Sequence, residues 1–384
     1  MQKFKNLLKG ALLLIVMCAF FVSEAIACTT FCLKRNGEVL FGKNYDWSIG
    51  DGMIFVNKRG ISKTADQKNN PAKWVSKYGS LTFNQYGREN PSGGINEMGL
   101  VIELMWLDDT KYPAQNSLPT IGTLEWIQYQ LDNSATVEEV IKNSEKIRIA
   151  EPTPLHYLVN DKSGNSATIE FLEGKLVAHT GTNLPVAALA NDTYKKSLDY
   201  AKNFEKSSNL PSGQSSFDRF TRASVKVKEF SKTEKNAVEY AFEMLGNVAQ
   251  GEYTQWSIVY DQKNGKIFYR TKMSPAIKSI DAKSFDYSCS TPVKMLDVND
   301  NKTGDVTSGF ADYTRQANRN LIERSFNGTD FLHKIPSQIR DNLAQIPETF
   351  PCDGKPEVVV SEKPVSEPFA LYQVYLIAKS IGLI

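Results

Sequence analysis

Two hydrophobic patterns divide the chain at residue 28. Before it, Ala11 to Val22 is an almost unbroken apolar run, shorter than the ~20 residues a membrane-spanning helix needs. After it, apolar residues come in short strand-like groups. Thr29-Thr30-Phe31-Cys32-Leu33 leads into Arg35-Asn36-Gly37, a hairpin turn signal, and Val39 to Trp47 returns as a second strand. Met53 to Asn57 and Leu81 to Asn84 are the next strand candidates. Gly93 to Gly99 reads as a loop and tight turn feeding Leu100 to Trp106, which is apolar except for Glu103 and predicts a buried strand. Helical spacing appears over Ile121 to Leu131 and Val137 to Ser144, with Thr136 as N-cap ahead of Glu138 and Glu139. His156 to Asn160, Ser166 to Phe171 and Lys175 to His179 predict a meander, and Val186 to Ala190 leads into Asn191-Asp192. A Pro/Gly/Ser-rich loop at 211–216 precedes helical spacing that runs to about residue 245. Tyr253 to Tyr260 and Lys266 to Thr271 form a further hairpin around Lys263-Asn264-Gly265. Strands, helices, strands, helices and strands in that order predict an α+β layered domain with antiparallel sheets. The Pro/Glu/Ser-rich stretch 355–368 predicts an extended linker, and Ala370 to Ile384 a short helix.

The leading segment has the three parts of a secretory signal: a basic start at Lys3, Lys5 and Lys9, the apolar run, and the small-residue site Ala25-x-Ala27. Residues 1–27 are therefore expected to be removed by a cut between Ala27 and Cys28, giving an exported protein, periplasmic or secreted. A catalytic domain is expected over 28–290. Residues 291–384 form an extension without an assigned role, expected to pack on the same domain. The cut removes three lysines and one glutamate and leaves 42 basic and 42 acidic residues. That balance gives no electrostatic case for nucleic acid as a partner. No later stretch has the length and composition of a membrane span, so the mature chain is expected to be soluble or at most lipid-tethered. Cys28, Cys32, Cys289 and Cys352 remain, with no Cys-x-x-Cys metal or redox motif. In an exported protein Cys289 and Cys352 could pair, although spacing does not fix connectivity.

Cleavage before Cys28 would put a thiol and a free α-amine on one residue. A thiol with a pKa near ~8.5 needs a base to become a nucleophile at neutral pH. The usual base is histidine, and His156, His179 and His333 stand in no recognisable Cys/His signature. An α-amine, with a pKa of roughly 7.7–8.0, is suited to the task, as it is for N-terminal threonine nucleophiles. Two other readings stay open: an ordinary cysteine near a cleavage site, and a lipid-anchor site, for which Ala25-Ile26-Ala27 is a partial match. Lipidation would block the thiol. The first hairpin brings the end of its second strand near Cys28, which makes Lys43 and Asp46 site candidates, although surface positions are the commoner fate of Lys and Asp. Glu103, inside a buried strand, needs a partner or an opening to solvent. Trp106 at the end of that strand would wall a substrate pocket or belong to the core.

With these residues in place, the chain resembles the choloylglycine hydrolase and penicillin V acylase family of N-terminal nucleophile hydrolases. The resemblance is carried by Cys28-Thr29-Thr30, Phe41 to Trp47, Asn96 to Leu100, Leu189 to Asp192, Arg219 to Arg222 and Gln255 to Asp261, and it covers roughly residues 28–290. It implies a four-layer αββα sandwich and hydrolysis of linear amide C–N bonds without a cofactor or metal. Substrates would be N-acyl compounds of the bile-salt conjugate, penicillin V, or N-acyl amino acid or lactone type. Cys28 would be the nucleophile, Asp46 would orient its amine, Asn191 would donate to the oxyanion and Arg219 would balance charge near the thiol. Trp47, Trp106 and Glu103 are the substrate-side candidates. Lys43 stands where the family commonly has arginine, keeping the charge and losing the bidentate fork. Trp106 stands where bile-salt hydrolases commonly have a second asparagine, which suits a flat or aromatic acyl group better than it suits an oxyanion. A homo-oligomer is the family expectation. The alternatives are an acyltransferase using the same acyl-enzyme and a lipid-anchored binding protein without turnover.

Overall fold

A computed structural model describes residues 28–352 apart from 206 and 208. The signal segment, the linker expected over 355–368 and the helix expected over 370–384 lie outside the described residues.

The first hairpin forms as its turn chemistry dictates. Strands β1 (Thr29–Arg35) and β2 (Glu38–Asp46) pair in register from Thr29 opposite Asn44 to Arg35 opposite Glu38. The two turn residues, Asn36 and Gly37, have φ of 45° and 87°, the left-handed conformations that a two-residue hairpin loop requires. Around this hairpin a seven-stranded sheet assembles. Its order is β10 (Ala188–Leu189), β1, β2, β11 (Thr254–Asp261), β12 (Lys266–Thr271), β13 (Lys278–Asp281) and β15 (Gly304–Asp305). All neighbours are antiparallel except the last pair.

A nine-stranded antiparallel sheet stacks on it. Its order is β9 (Lys175–Thr180), β8 (Ser166–Leu172), β7 (Leu155–Asn160), β6 (Val101–Trp106), β5 (Pro91–Asn96), β4 (Ser80–Asn84), β3 (Met53–Asn57), β14 (Lys294–Asp297) and β16 (Ala311–Asp312). β6 shows why its sequence is apolar on both faces. Val101 and Met105 enter the core between the sheets, whereas Ile102 and Leu104 enter the core under the outer helices. Fully burying each such side chain contributes about 1.5–3 kcal/mol.

Helices α1 (Thr123–Asn133) and α2 (Val137–Ser144) cover the nine-stranded sheet. Helices α4 (Ser216–Phe230) and α5 (Ala237–Asn247) cover the seven-stranded sheet, with α3 (Tyr194–Ala201) packed on α4. The architecture is the expected four-layer αββα sandwich. Thr136 caps α2 by accepting from Glu139 N, and Ser215 ends the Pro/Gly/Ser loop by accepting from Asp218 N and capping α4.

The structure differs from the sequence reading at two places. Gly93 and Gly94 belong to strand β5, opposite Glu103 and Ile102, and the chain turns only after Asn96. They are glycines because a Cβ at 93 would meet the Glu103 carboxyl at 2.1 Å and one at 94 would meet the Leu81 carbonyl at 2.4 Å. Ile121 forms a two-residue bridge with Ile149, so the helix begins at Thr123. Beyond residue 290, β14 and β16 extend the nine-stranded sheet, and helices α6 (Arg315–Asn327) and α7 (Ser337–Gln345) follow. Cys289 and Cys352 are joined in a disulfide.

Candidate active site

The β1–β2 register places Cys28 beside the end of β2, with its Sγ 3.8 Å from the Asp46 carbonyl. Both residues are buried. The Asp46 carboxylate accepts from Thr254 Oγ1 and, at 3.3 Å, from Gln250 Nε2. Burial pushes its carboxyl up to about 6, against those hydrogen bonds and the charges of Arg219 and Lys43. Sequence reasoning missed Thr254 and Gln250. Thr254 reaches Asp46 only because β11 carries an irregularity between Thr254 and Trp256, and nothing in the sequence signals it.

Arg219, near the start of α4, is fully buried and distributes its donors over the site. Nη1 donates to the Cys28 carbonyl at 2.9 Å and to Thr29 Oγ1, Nη2 donates to Asn191 Oδ1 at 3.2 Å, and Nε donates to the Gln214 carbonyl at 3.1 Å. The guanidinium thus fixes the backbone of Cys28 and the amide plane of Asn191 together. With Oδ1 so occupied, Asn191 Nδ2 donates one N–H to the Trp106 carbonyl at 2.9 Å. Its second N–H has no partner among the described residues, and Asn191 lines the same cleft as Cys28.

Burial also pushes the Cys28 thiol above its ordinary value, and the nearby Lys43 charge opposes that rise. Lys43 is buried between the sheets. Its Nζ donates to the Leu104 carbonyl and lies 3.9 Å from Glu103 Oε2. No histidine nitrogen is bonded to the thiol among the described residues. His156 contacts the Ala190 carbonyl and Glu170, His179 contacts Thr168 and Glu170, and His333 is exposed.

The cleft over Cys28 encloses about 680 Å³, including its open mouth. Trp47 and Trp106 form part of its wall, with ring centroids 6.4 Å apart. The Trp106 Nε1 donates to Asp108 Oδ1 at 2.6 Å, which takes it out of contention as an oxyanion donor. Trp47 Nε1 donates to Tyr86 OH at 2.8 Å. Tyr86, Phe331 and Leu332 also line the cleft and were absent from the sequence reading. The only carboxylate among the lining residues is Asp46, and no lining residue is basic.

Glu103 does not line this cleft, which corrects its expected substrate-side place. Strand alternation turns it into the space between the sheets, where Tyr260 OH donates to it at 2.6 Å. Burial pushes its carboxyl up to about 7, against the Lys43 charge and the Tyr260 hydrogen bond. No helix among the described residues is long and apolar enough to cross a membrane, and no cluster of three or more His, Cys, Asp or Glu residues there could hold a metal ion.

The stacked sheets, with the cleft at the start of β1, define the N-terminal nucleophile hydrolase fold. Residues 28–303 match the linear amide C–N hydrolases of the choloylglycine hydrolase family, and the chain belongs to that family. It is 26% identical over 316 residues to a penicillin V acylase from Pectobacterium atrosepticum, covering 69% of this chain and 83% of that protein. It superposes on a penicillin V acylase from Agrobacterium tumefaciens with a TM-score of 0.68 and 29% identity, covering 75% of this chain and 98% of the other. A conjugated bile acid hydrolase from Clostridium perfringens, at 19% identity and a TM-score of 0.61, covers 70% of this chain and 96% of its own, and shares the fold. The protein is accordingly a linear amide C–N hydrolase by family.

Proposed function

We propose that the protein is exported, is cut between Ala27 and Cys28, and hydrolyses N-acyl amides through an acyl thioester on Cys28. The observation that carries this reading is the placement of Cys28 in the cleft, surrounded by Asp46, Asn191 and Arg219 and without a histidine base. In the mature chain the α-amine of Cys28 takes the thiol proton, and the thiolate attacks the amide carbonyl. The free N–H of Asn191 donates to the developing oxyanion, a type of contact whose removal typically costs about 2.7–4 kcal/mol. The C–N bond breaks as the α-ammonium returns the proton to the departing amine, leaving the acyl group on sulfur. Water, deprotonated by the same amine, attacks the thioester and releases the carboxylic acid and the free thiol. The Asp46 carboxylate holds the amine by a charge-assisted hydrogen bond. Arg219 touches no reacting atom and acts as a positioning residue.

Family membership and the likeness to the Agrobacterium acylase support the reaction type. The cleft lining supports an uncharged, apolar acyl group, because a charged one would be desolvated without a partner. Penicillin V and N-acyl amino acids or lactones with apolar acyl chains fit that description, and bile-salt conjugates belong in the same screen. The test is turnover of such a panel by the mature protein and by Cys28→Ala. Loss of all hydrolysis in a folded Cys28→Ala supports the proposal, and retained hydrolysis refutes it.

A further inference from the structure

The family match ends at residue 303, yet the cleft includes side chains from beyond it. Helices α6 and α7 pack around one apolar cluster, with Ile322 and Phe326 from α6, Ala344 from α7, and Leu332 and Ile335 from the turn between them. The turn joining them doubles back, with Leu332 N and His333 N both donating to the Thr329 carbonyl, at 2.8 and 3.1 Å. From this turn Phe331 and Leu332 reach the cleft that holds Cys28.

The segment is tied to the catalytic body at several points. Thr329 Oγ1 donates to the Ser325 carbonyl at 2.8 Å, so in its 3.2 Å contact with Tyr86 OH the tyrosine is the donor. Tyr86 OH accepts from Trp47 Nε1, giving a continuous chain from the turn to the cleft wall next to Asp46. Asn318 Oδ1 accepts from Arg88 N at 2.9 Å, and Arg324 pairs with Asp51 at 2.6 Å. The far end is held by the Cys289–Cys352 disulfide and by Ser62 N donating to the Pro351 carbonyl at 3.0 Å. These ties fix Phe331 and Leu332 as rigid parts of the cleft.

We infer that residues 329–332, which lie beyond the stretch matched to the family, form a specificity wall of the cleft, with Phe331 and Leu332 setting the size of apolar acyl group admitted. The inference rests on the hydrolase reading for the identity of the bound group as an acyl chain. Its physical basis is that a fixed apolar wall discriminates by fit, and one methylene more or less in such a pocket changes specificity by roughly 10–200-fold.

The experiment uses the mature protein, Phe331→Ala, Leu332→Ala and Phe331→Trp. Hydrolysis is followed across N-acyl glycines with straight chains of graded length. Binding of the corresponding free carboxylic acids is followed by tryptophan fluorescence in a Cys28→Ala background. The expected result is that Phe331→Ala and Leu332→Ala move the preferred length upward, by about tenfold in the ratio of long-chain to short-chain kcat/KM, and that Phe331→Trp moves it down. A merely destabilised fold would lower all chain lengths alike. An unchanged or uniformly lowered length profile overturns the wall. If no amide is hydrolysed but the acid-binding profile shifts as stated, the wall stands and the hydrolase reading falls. If neither hydrolysis nor binding is seen for any chain length, the wall falls as well.

Discussion

Arg219 and Cys28 lie 191 residues apart in the chain and are joined by a 2.9 Å hydrogen bond from Nη1 to the Cys28 carbonyl. Because the same guanidinium also holds Asn191 Oδ1, it aligns the proposed nucleophile with the proposed oxyanion donor. Lysine cannot reproduce that fork. Arg219→Lys is expected to lower kcat about 10–100-fold, converting to roughly 1.4–2.7 kcal/mol, with a smaller change in KM. Steady-state kinetics on a variant with wild-type thermal stability checks this. A rise in KM alone would place Arg219 in substrate binding instead.

Asp46 should set an acid limit on activity. Its carboxyl is raised to about 6, and only the carboxylate form holds the α-ammonium by a charge-assisted bond. The rate is expected to fall as pH drops through about 6, and Asp46→Asn is expected to be poorly active at every pH. A pH–rate profile flat from pH 7 to 5 would contradict this.

Lys43 opposes the effect of burial on the thiol. Removing its charge in Lys43→Met should push the thiol further up and slow alkylation of Cys28 at neutral pH, whereas Lys43→Arg should restore much of the rate. Stopped-flow alkylation of the mature protein measures both. Equal rates in Lys43→Met and wild type would remove Lys43 from the site's electrostatics.

A separate carboxyl cluster bears on stability. Glu125 accepts from Asp66 N at 2.7 Å and from Gly122 N at 2.9 Å at the start of α1. Burial, helped by the neighbouring Asp66 charge, pushes its carboxyl up to about 8. A carboxyl raised on folding keeps its proton longer in the folded state, so its stabilising contribution is present at low pH and is lost as pH rises through the folded value. Stability is expected to decline between about pH 5 and 8 in the wild type. That slope is expected to flatten in Glu125→Gln, as chemical denaturation at several pH values would show. An identical slope in both proteins would contradict it.

Much of the inner hairpin was legible in the sequence, because the Asn36-Gly37 turn fixes a local register. That register alone places Lys43 and Asp46 near Cys28. The helix cap at Thr136 was legible for the same local reason. Glu103 was misplaced because a strand buried on both faces has no polar side to show which way a given residue points. The partners Gln250 and Thr254 and the cleft residues Phe331 and Leu332 come from distant parts of the chain. Only sheet pairing and helix packing bring them in, and no periodicity encodes that.

The most direct test of Cys28 as the nucleophile is the intact mass of the mature protein quenched during turnover of an N-acyl amide, followed by peptide mapping. The expected species is a chain that begins at Cys28 and carries one acyl group as a hydroxylamine-labile thioester on that residue, absent in Cys28→Ala. A mature chain that retains residues before Cys28, or carries lipid on it, while hydrolysing the amide would rule out Cys28 as an N-terminal nucleophile.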